Sequence, residues 1–411
     1  MLTHEQKMQF SDLLEELGQT LDISPSEYDA AVKSYRAVGT HLSKEGSLLA
    51  PYKPEILPQG SFMLGTMIKP VNETDDLDID LVCQLAGKNP LWTQRDLKQK
   101  VGDQLKDSPV YRSMLEPEGR RCWTLRYSDA ANYHMDILPA IVDSGYRMIL
   151  EKAFSAQELG ELDELAIRIT DRKRSNFLTE RMHLLWLKSN PFGYGRWFFN
   201  RASLDLIKAF SINESIKPVP RYQKEKLPLQ RVVQILKRHR DLMFNGDEHK
   251  PISIIITTLA ANAYKKETTV LEALQNVLET MTDYIEERFD EKTGRMVKWV
   301  VNPVNAEENF ADKWIETPAK QENFYKWIHA VREDVQRALD QKDRGLHFVM
   351  ESLKSPFGEK AVTKAFSSYG EKQLKLRESG GMKMAGLTGM IGEVGRTPIR
   401  QHTNFGSLND E

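Results

Sequence analysis

Between Leu77 and Leu85 the sequence reads LDIDLVCQL, and this stretch restricts the fold more tightly than any other. Acid and apolar residues alternate from Leu77 to Val82, the period of a β-strand, whose successive side chains point to opposite faces. Asp78 and Asp80 therefore share one face, while Ile79 and Leu81 pack into the other. Two carboxylates about 6 to 7 Å apart along a strand suit Mg²⁺, a hard cation that takes oxygen ligands and keeps the phosphate oxygens of a substrate in its shell. The same pair supports two ions, Mg²⁺ or Mn²⁺, one activating a hydroxyl and the other stabilising a leaving pyrophosphate.

An Asp-x-Asp alone is common on solvated strands, so its weight depends on what surrounds it. Upstream, Pro58-Gln59-Gly60-Ser61-Phe62-Met63-Leu64-Gly65-Thr66 ends an extended piece and opens a helix at Ser61. Glycine lets the chain approach a phosphate, the helix start offers unpaired N–H donors, and the Ser61 hydroxyl adds another. Downstream, Tyr133-His134-Met135-Asp136-Ile137-Leu138 repeats the alternation with a single acid. If this strand lies beside the first, Asp136 completes an acidic triad that ligates a metal or accepts a hydroxyl proton. Asp75 and Asp76 read as loop acids. Asp129 and Asp143 sit outside the apolar alternation, and His134 reads as a structural hydrogen-bonding residue.

The rest of the chain places this lobe. Residues 5 to 48 read as helices broken at Ser24-Pro25, and the strands CWTLRY and YHMDIL flank a turn at Ser128 to Asn132. Beyond residue 155 strand signals nearly vanish, and Leu229 to Phe244, Ile252 to Lys265 and Val270 to Arg288 read as long helices. A Pro- and Lys-rich stretch, Ile216 to Leu227, reads as a surface connection. The expected organisation is a helical amino terminus and α/β lobe (1–155), a helical lobe (156–376) and a flexible Gly-rich tail (377–411).

Composition removes several alternatives. Cys83 and Cys122 are the two cysteines, too few for a disulfide framework or a thiolate zinc site, and both read as core residues. A formal net charge of −2 argues against wrapping long nucleic acid. No apolar run approaches the roughly 18 to 20 residues of a membrane span, and the mixed-charge start MLTHEQKMQF lacks a secretory pattern, so a cytoplasmic location is expected.

Gly-Ser followed by Asp-x-Asp and a distant third Asp resembles the motif of the DNA polymerase β-like nucleotidyltransferases, a bilobal α+β fold with a mixed-sheet palm and a helical carboxy-terminal lobe. More narrowly, GSFMLGT, DDLDIDLVCQL and YHMDILPAI resemble the CD-NTase family, the cGAS/DncV-like enzymes of bacterial antiphage (CBASS) defence. PLQRVVQILKRHRD, PISIIITTLAANAY and NPVNAEENFADKW are similar to that family's helical half, so the likeness spans about residues 30 to 370.

The resemblance implies a synthase that makes cyclic di- or trinucleotides from ATP, GTP or pyrimidine triphosphates. It assigns Asp78, Asp80 and Asp136 to metal and Gly60 and Ser61 to the triphosphate. A helical-lobe lysine and a serine also touch the triphosphate in such enzymes, and the matching residues here are Lys237 and Ser253. Taken alone, the basic run Leu236 to Arg240 reads as a solvated helix face, and Ser253, after Pro251, as a cap. The argument for Lys237 is that a triphosphate needs cations from the lobe opposite the acids; His239 receives no role.

Without a Cys/His zinc cluster, activation by DNA of the kind seen in the animal relative is not expected. Some relatives are conjugated through a carboxy-terminal glycine by an E1/E2-like partner. Here the chain continues past Gly406 through Ser407 to Glu411, a departure from that pattern, with a functionally silent end as the alternative. The rival functions are a template-free RNA-end or small-molecule nucleotidyltransferase and a catalytically silent nucleotide-binding module.

Overall fold

The computed structural model describes residues 2–72, 76–127, 133–142, 166–204, 222–291, 293–385, 391–392 and 397–399. Two helices open the chain, α1 (His4–Leu21) and α2 (Pro25–Ser43), each begun by a reciprocal capping box, Thr3 with Gln6 and Ser24 with Glu27. Their apolar faces go to different places. Phe10, Leu14 and Leu17 of α1 enter the core of the carboxy-terminal helices, whereas Tyr28, Val32, Tyr35 and Val38 of α2 pack beneath the sheet. Helix α1 thus departs from the expected grouping with the first lobe.

Strand β1 (Glu55–Pro58), helix α3 (Gly60–Leu64), strand β2 (Leu77–Leu85), helices α4 (Gln94–Asp107) and α5 (Pro109–Met114), and strands β3 (Trp123–Tyr127) and β4 (Tyr133–Ile141) build the palm. Strand β2 runs parallel to β4 along its whole length, with β1 antiparallel on its other edge and β3 antiparallel to the first half of β4. The sheet continues past residue 155. Strand β5 (Ile167–Ile169) pairs with the end of β4, and β6 (Leu187–Ser189) pairs with β5. The expected boundary at 155 therefore cuts through the sheet; three-residue strands are too short to display a period. The turn at 128–132, with Asp129, and Asp143 lie outside the described residues.

Alternation along β2 and β4 decides where the sheet is open. Ile79, Leu81 and Cys83 share a core with Met135, Ile137 and the residues of α2 and α4, while Val82, Leu138 and Ala140 join the core of the carboxy-terminal helices. On that second face the first halves of the strands carry Asp78, Asp80 and Asp136. There the sheet is only partly covered, and Asp78 reaches solvent on one side while the cleft partly desolvates its carboxyl.

The second lobe contains α6 (Pro191–Ala202), α7 (Pro228–Phe244), α8 (Ser253–Ala263) and α9 (Val270–Thr280), then α10 (Lys313–Glu316), α11 (Pro318–Asp340), α12 (Leu346–Phe357) and α13 (Glu359–Glu378). Two hairpins interrupt it, β7 (Glu286–Asp290) with β8 (Arg295–Trp299), and β9 (Val301–Asn302) with β10 (Asn305–Asn309). The helix expected over Val270 to Arg288 ends at Thr280. Cross-strand contacts win beyond it: Glu287 pairs with Lys298 at 2.6 Å, and the Arg288 guanidinium lies 4.8 Å from the Trp299 ring centre.

Among the described residues no helix is long and apolar enough to cross a membrane. The stretch expected to be a flexible tail contains three short antiparallel strands, Lys383–Met384, Ile391–Gly392 and Thr397–Pro398. Residues 216–221 of the Pro- and Lys-rich connection and the end of the tail, with Gly406, lie outside the described residues.

Candidate active site

The register of β2 on β4 sets Asp80 directly beside Asp136 and Asp78 beside His134. All three acids therefore stand on one face of two adjacent strands, as the alternation required. Thr124, opposite Asp136 on β3, donates its hydroxyl to Asp136 Oδ1 at 2.5 Å and fixes that carboxylate. Behind Asp80 the Gln59 amide donates to its main-chain oxygen at 2.8 Å, tying the Gly60 turn to the strand. Gly60 adopts φ +60, and a Cβ there would stand 2.6 Å from Asp80 Oδ2. Glycine is required for both reasons. The short helix α3 starts at Gly60, one residue earlier than expected, and Ser61 faces the cleft.

Burial pushes the Asp80 carboxyl up to about 6, and Asp136 and Asp78 add like-charge repulsion that Lys237 only partly opposes. Asp78 is also raised, by burial first and Asp136 second, against His134 and Lys250. Such a set is electrostatically incomplete without a cation. Among the described residues no group of three His, Cys, Asp or Glu side chains closes a metal shell by itself. That is compatible with Mg²⁺, which keeps waters and substrate phosphate oxygens alongside one or two carboxylates. The donor set fits a divalent ion whose shell a phosphate completes.

The opposite wall is α7. Its Gln230, Gln234, Lys237 and Arg238 fall on one helical face and donate to main-chain oxygens of the segment after the Gly60 turn. Gln230 reaches Leu64 at 2.8 Å, Lys237 reaches Thr66 at 3.1 Å, Gln234 reaches Met67 at 2.8 Å and Arg238 reaches Lys69 at 2.7 Å. Beneath them Arg231 is fully buried and binds Asp22 at 2.7 Å and Glu15 at 2.9 Å, while Lys226 and Gln234 also hold Asp22. The basic run 237–240 is therefore buried, not solvated. These bonds to backbone oxygens register the palm turn against the second lobe, while the buried Arg238 Nε finds no partner among the described residues.

Between the walls lies a cleft of about 670 Å³, whose lining includes Gly60, Ser61, Asp78, Asp80, Lys237 and Ser253. Asp136 adjoins it through Asp80. Burial, with Arg240 nearby, lowers the Lys237 ammonium to about 8, against the pull of Asp241 and Asp80. Ser253 is the first residue of α8 and not its cap; its Oγ accepts from Arg240 Nη1 at 2.9 Å. Sequence reasoning missed Arg240, Asp241 and Lys250, which also line the cleft. Lys250 lies on an irregular loop with no period to read, and Arg240 and Asp241 were hidden in a run of charges.

The remaining residues singled out in the sequence stand apart. His134 Nε2 lies 2.7 Å from Asp76 Oδ2, which also pairs with Arg126 at 3.2 Å, so Asp76 is a partner in a cluster at the cleft rim; Asp75 lies outside the described residues. His239 is buried against Asp334 at 3.0 Å. Cys83 is buried and Cys122 half-buried, with burial pushing both thiols up to about 12.

A mixed-sheet palm with an acidic face, closed by a helical lobe that brings a buried lysine, defines the nucleotidyltransferase class. Residues 54–139 match the family described as cyclic GMP-AMP synthase DncV-like, nucleotidyltransferase domain. It is 28% identical to a c-di-GMP synthase of Roseivirga ehrenbergii over 92% of each chain, and 23% identical to the cyclic dinucleotide synthase CdnG of Bradyrhizobium diazoefficiens over 96% of this chain and 94% of that one. The fold is similar to that of the B. diazoefficiens CD-NTase CdnG solved in complex with GTP. The TM-score is 0.64 at 21% identity, covering 87% of this chain and 97% of that one. The E. coli MS115-1 CdnC structure with ATP gives 0.54 at 16% identity, covering 87% and 98%.

Proposed function

We propose that this chain joins two nucleoside triphosphates, GTP among them, into a cyclic dinucleotide that serves as a second messenger in bacterial antiphage (CBASS) defence. The observation that carries the reading is the opposition of Asp78 and Asp80 on one wall of the cleft, with Asp136 beside Asp80 on the same sheet face, to Lys237 and Ser253 on the other. Both curated relatives, each matched over nine-tenths of its length, are cyclic dinucleotide synthases by name.

In this proposal the triphosphate lies along the Gly60-Ser61 turn, with Ser61, Lys237 and Ser253 as donors to its phosphate oxygens. Asp78, Asp80 and Asp136 would hold two divalent ions, Mg²⁺ or Mn²⁺, which would supply Lewis acidity at the reacting phosphate and neutralise developing charge. A ribose hydroxyl of the second nucleotide attacks the α-phosphorus in line. The new P–O bond replaces the bond to the bridging oxygen of the β-phosphate, pyrophosphate departs, and the hydroxyl proton is lost beside Asp136. The linear intermediate turns over and the second attack closes the ring. The proposal includes a cytoplasmic location, where triphosphates are held, and leaves the tail as the place for an E1/E2-like partner.

Mass spectrometry of products formed from all four triphosphates with Mg²⁺ or Mn²⁺ tests it. A phosphatase-resistant, guanine-containing cyclic dinucleotide, absent with Asp78→Asn, is expected. Linear products alone would support the RNA-end or small-molecule alternative, and no product under any condition a catalytically silent module.

A further inference from the structure

Asp241 is the hub of a charged cluster on the helical wall that the roles above leave unused. Its Oδ1 accepts from Arg240 Nε at 2.8 Å and lies 2.8 Å from Arg240 Nη2 and 3.4 Å from Lys250 Nζ. Arg240 is buried, and its Nη1 is directed at Pro251 O, 3.0 Å, and Ser253 Oγ, 2.9 Å. Its guanidinium is committed to protein partners although the residue lines the cleft. By accepting from Arg240, Ser253 Oγ keeps its own proton to donate toward an anion. Arg240 is thus a positioning residue.

Lys250 is placed differently. It is about two-fifths exposed, its contact to Asp241 is the longest in the cluster, and its charge reaches Asp78 across the cleft. It sits on the loop after Asn245 and Gly246, both at positive φ, which turn the chain back from the end of α7 toward the cleft. An ammonium on a flexible stem, weakly shared with one carboxylate, is free to exchange that partner for a more highly charged phosphate.

We propose that Lys250 is a further triphosphate-binding residue, paired with Asp241 and transferred to the terminal phosphate of the donor nucleotide when it binds. The inference rests on the nucleotidyltransferase reading of the cleft and adds a cation beyond Lys237. Lys250 would then help distinguish triphosphates from shorter nucleotides, because its partner is the phosphate farthest from the α-phosphorus.

Calorimetric titration of the full chain with GTP, GDP and GMP in Ca²⁺, which holds the nucleotide without requiring turnover, tests this. Lys250→Ala should weaken GTP by roughly tenfold, GDP by less and GMP by under about twofold, with Lys250→Arg restoring most of the GTP affinity and Lys250→Glu losing more than Lys250→Ala. Unchanged melting without nucleotide shows that the fold is intact. Equal losses for all three nucleotides, or unaltered GTP affinity in Lys250→Ala, would overturn the assignment of Lys250. Wild-type protein that binds no triphosphate would instead overturn the reading of the cleft on which it rests.

Discussion

The two walls of the cleft solve opposite electrostatic problems. The palm wall gathers three carboxylates on one sheet face, and burial, with repulsion from Asp136 and Asp78 that buried Lys237 only partly offsets, pushes Asp80 up to about 6. The helical wall buries Arg231, Gln234, Lys237 and Arg238, yet each has an oxygen partner, from Asp22, Glu15 or the main chain of residues 64–70. One wall is left incomplete and waits for a ligand. The other is anchored to the palm backbone by Gln230 and Gln234, with Arg231 held by Asp22 and Glu15, and acts as a ruler that sets the distance across the cleft. Function and stability should therefore separate between the palm acids and this anchoring network.

The largest effect expected from this contrast is on the palm side. Asp80→Asn removes a metal-binding charge worth several kcal/mol in a phosphoryl-transfer transition state, so pyrophosphate release should fall about 10³-fold or more. The melting temperature of metal-free protein should not fall, because the substitution also removes a repulsion. A variant that melts well below the wild type would show that Asp80 is bound into the scaffold, and the contrast between the walls would fail.

On the helical side the order should reverse. Arg231→Met takes the buried guanidinium from Asp22 and Glu15, and because Lys226 and Gln234 still hold Asp22 the loss should fall below the roughly 3 to 5 kcal/mol of a fully broken buried pair. Denaturant unfolding should report that loss, and Asp22→Asn, which takes the carboxylate from both Arg231 and Lys226, should cost more than Arg231→Met. The folded fraction should keep triphosphate affinity. Lost affinity without lost stability would place Arg231 in substrate binding and blur the comparison.

The walls also differed in how far the sequence disclosed them. Alternation in LDIDLV put Asp78 and Asp80 on one face, because a strand has a period of two and the packed residues are strongly apolar, while Asp136 joins them only through the pairing of β4 with β2. The helical wall offered no such rule. Lys237 to Arg240 read as a solvated run because charge normally faces water, and only tertiary contact with the backbone of residues 64–70 makes burial possible. Lys250 comes from a loop whose geometry follows from Asn245 and Gly246 at positive φ, and no pattern marks which way its side chain turns. The same reasons explain the fold: long helices were legible, while β5, β6 and the β7–β8 hairpin depend on pairing with distant residues.

The smallest expected effect sets two carboxylates of the palm against each other. Asp171 is as buried as any residue in the lobe, but Arg120 grips both its oxygens at 2.7 Å, Arg121 adds a third contact at 2.9 Å and the Lys173 amide a fourth at 3.0 Å. Burial alone would raise its carboxyl, yet these donors outweigh burial and hold it down at about 2, the opposite of Asp80. Because the folded value lies below the ordinary carboxylate range, the native state gains stability from ionised Asp171 above about pH 4 and loses it as pH falls toward 2. With both guanidinium groups partly exposed and screened, the contribution is about 1 to 2 kcal/mol. Stability measured from pH 5 down to 2.5 should fall less steeply in Asp171→Asn than in the wild type, from a lower starting value. Parallel curves would mean that Asp171 titrates alike in the folded and unfolded states, and that its donors do not outweigh its burial.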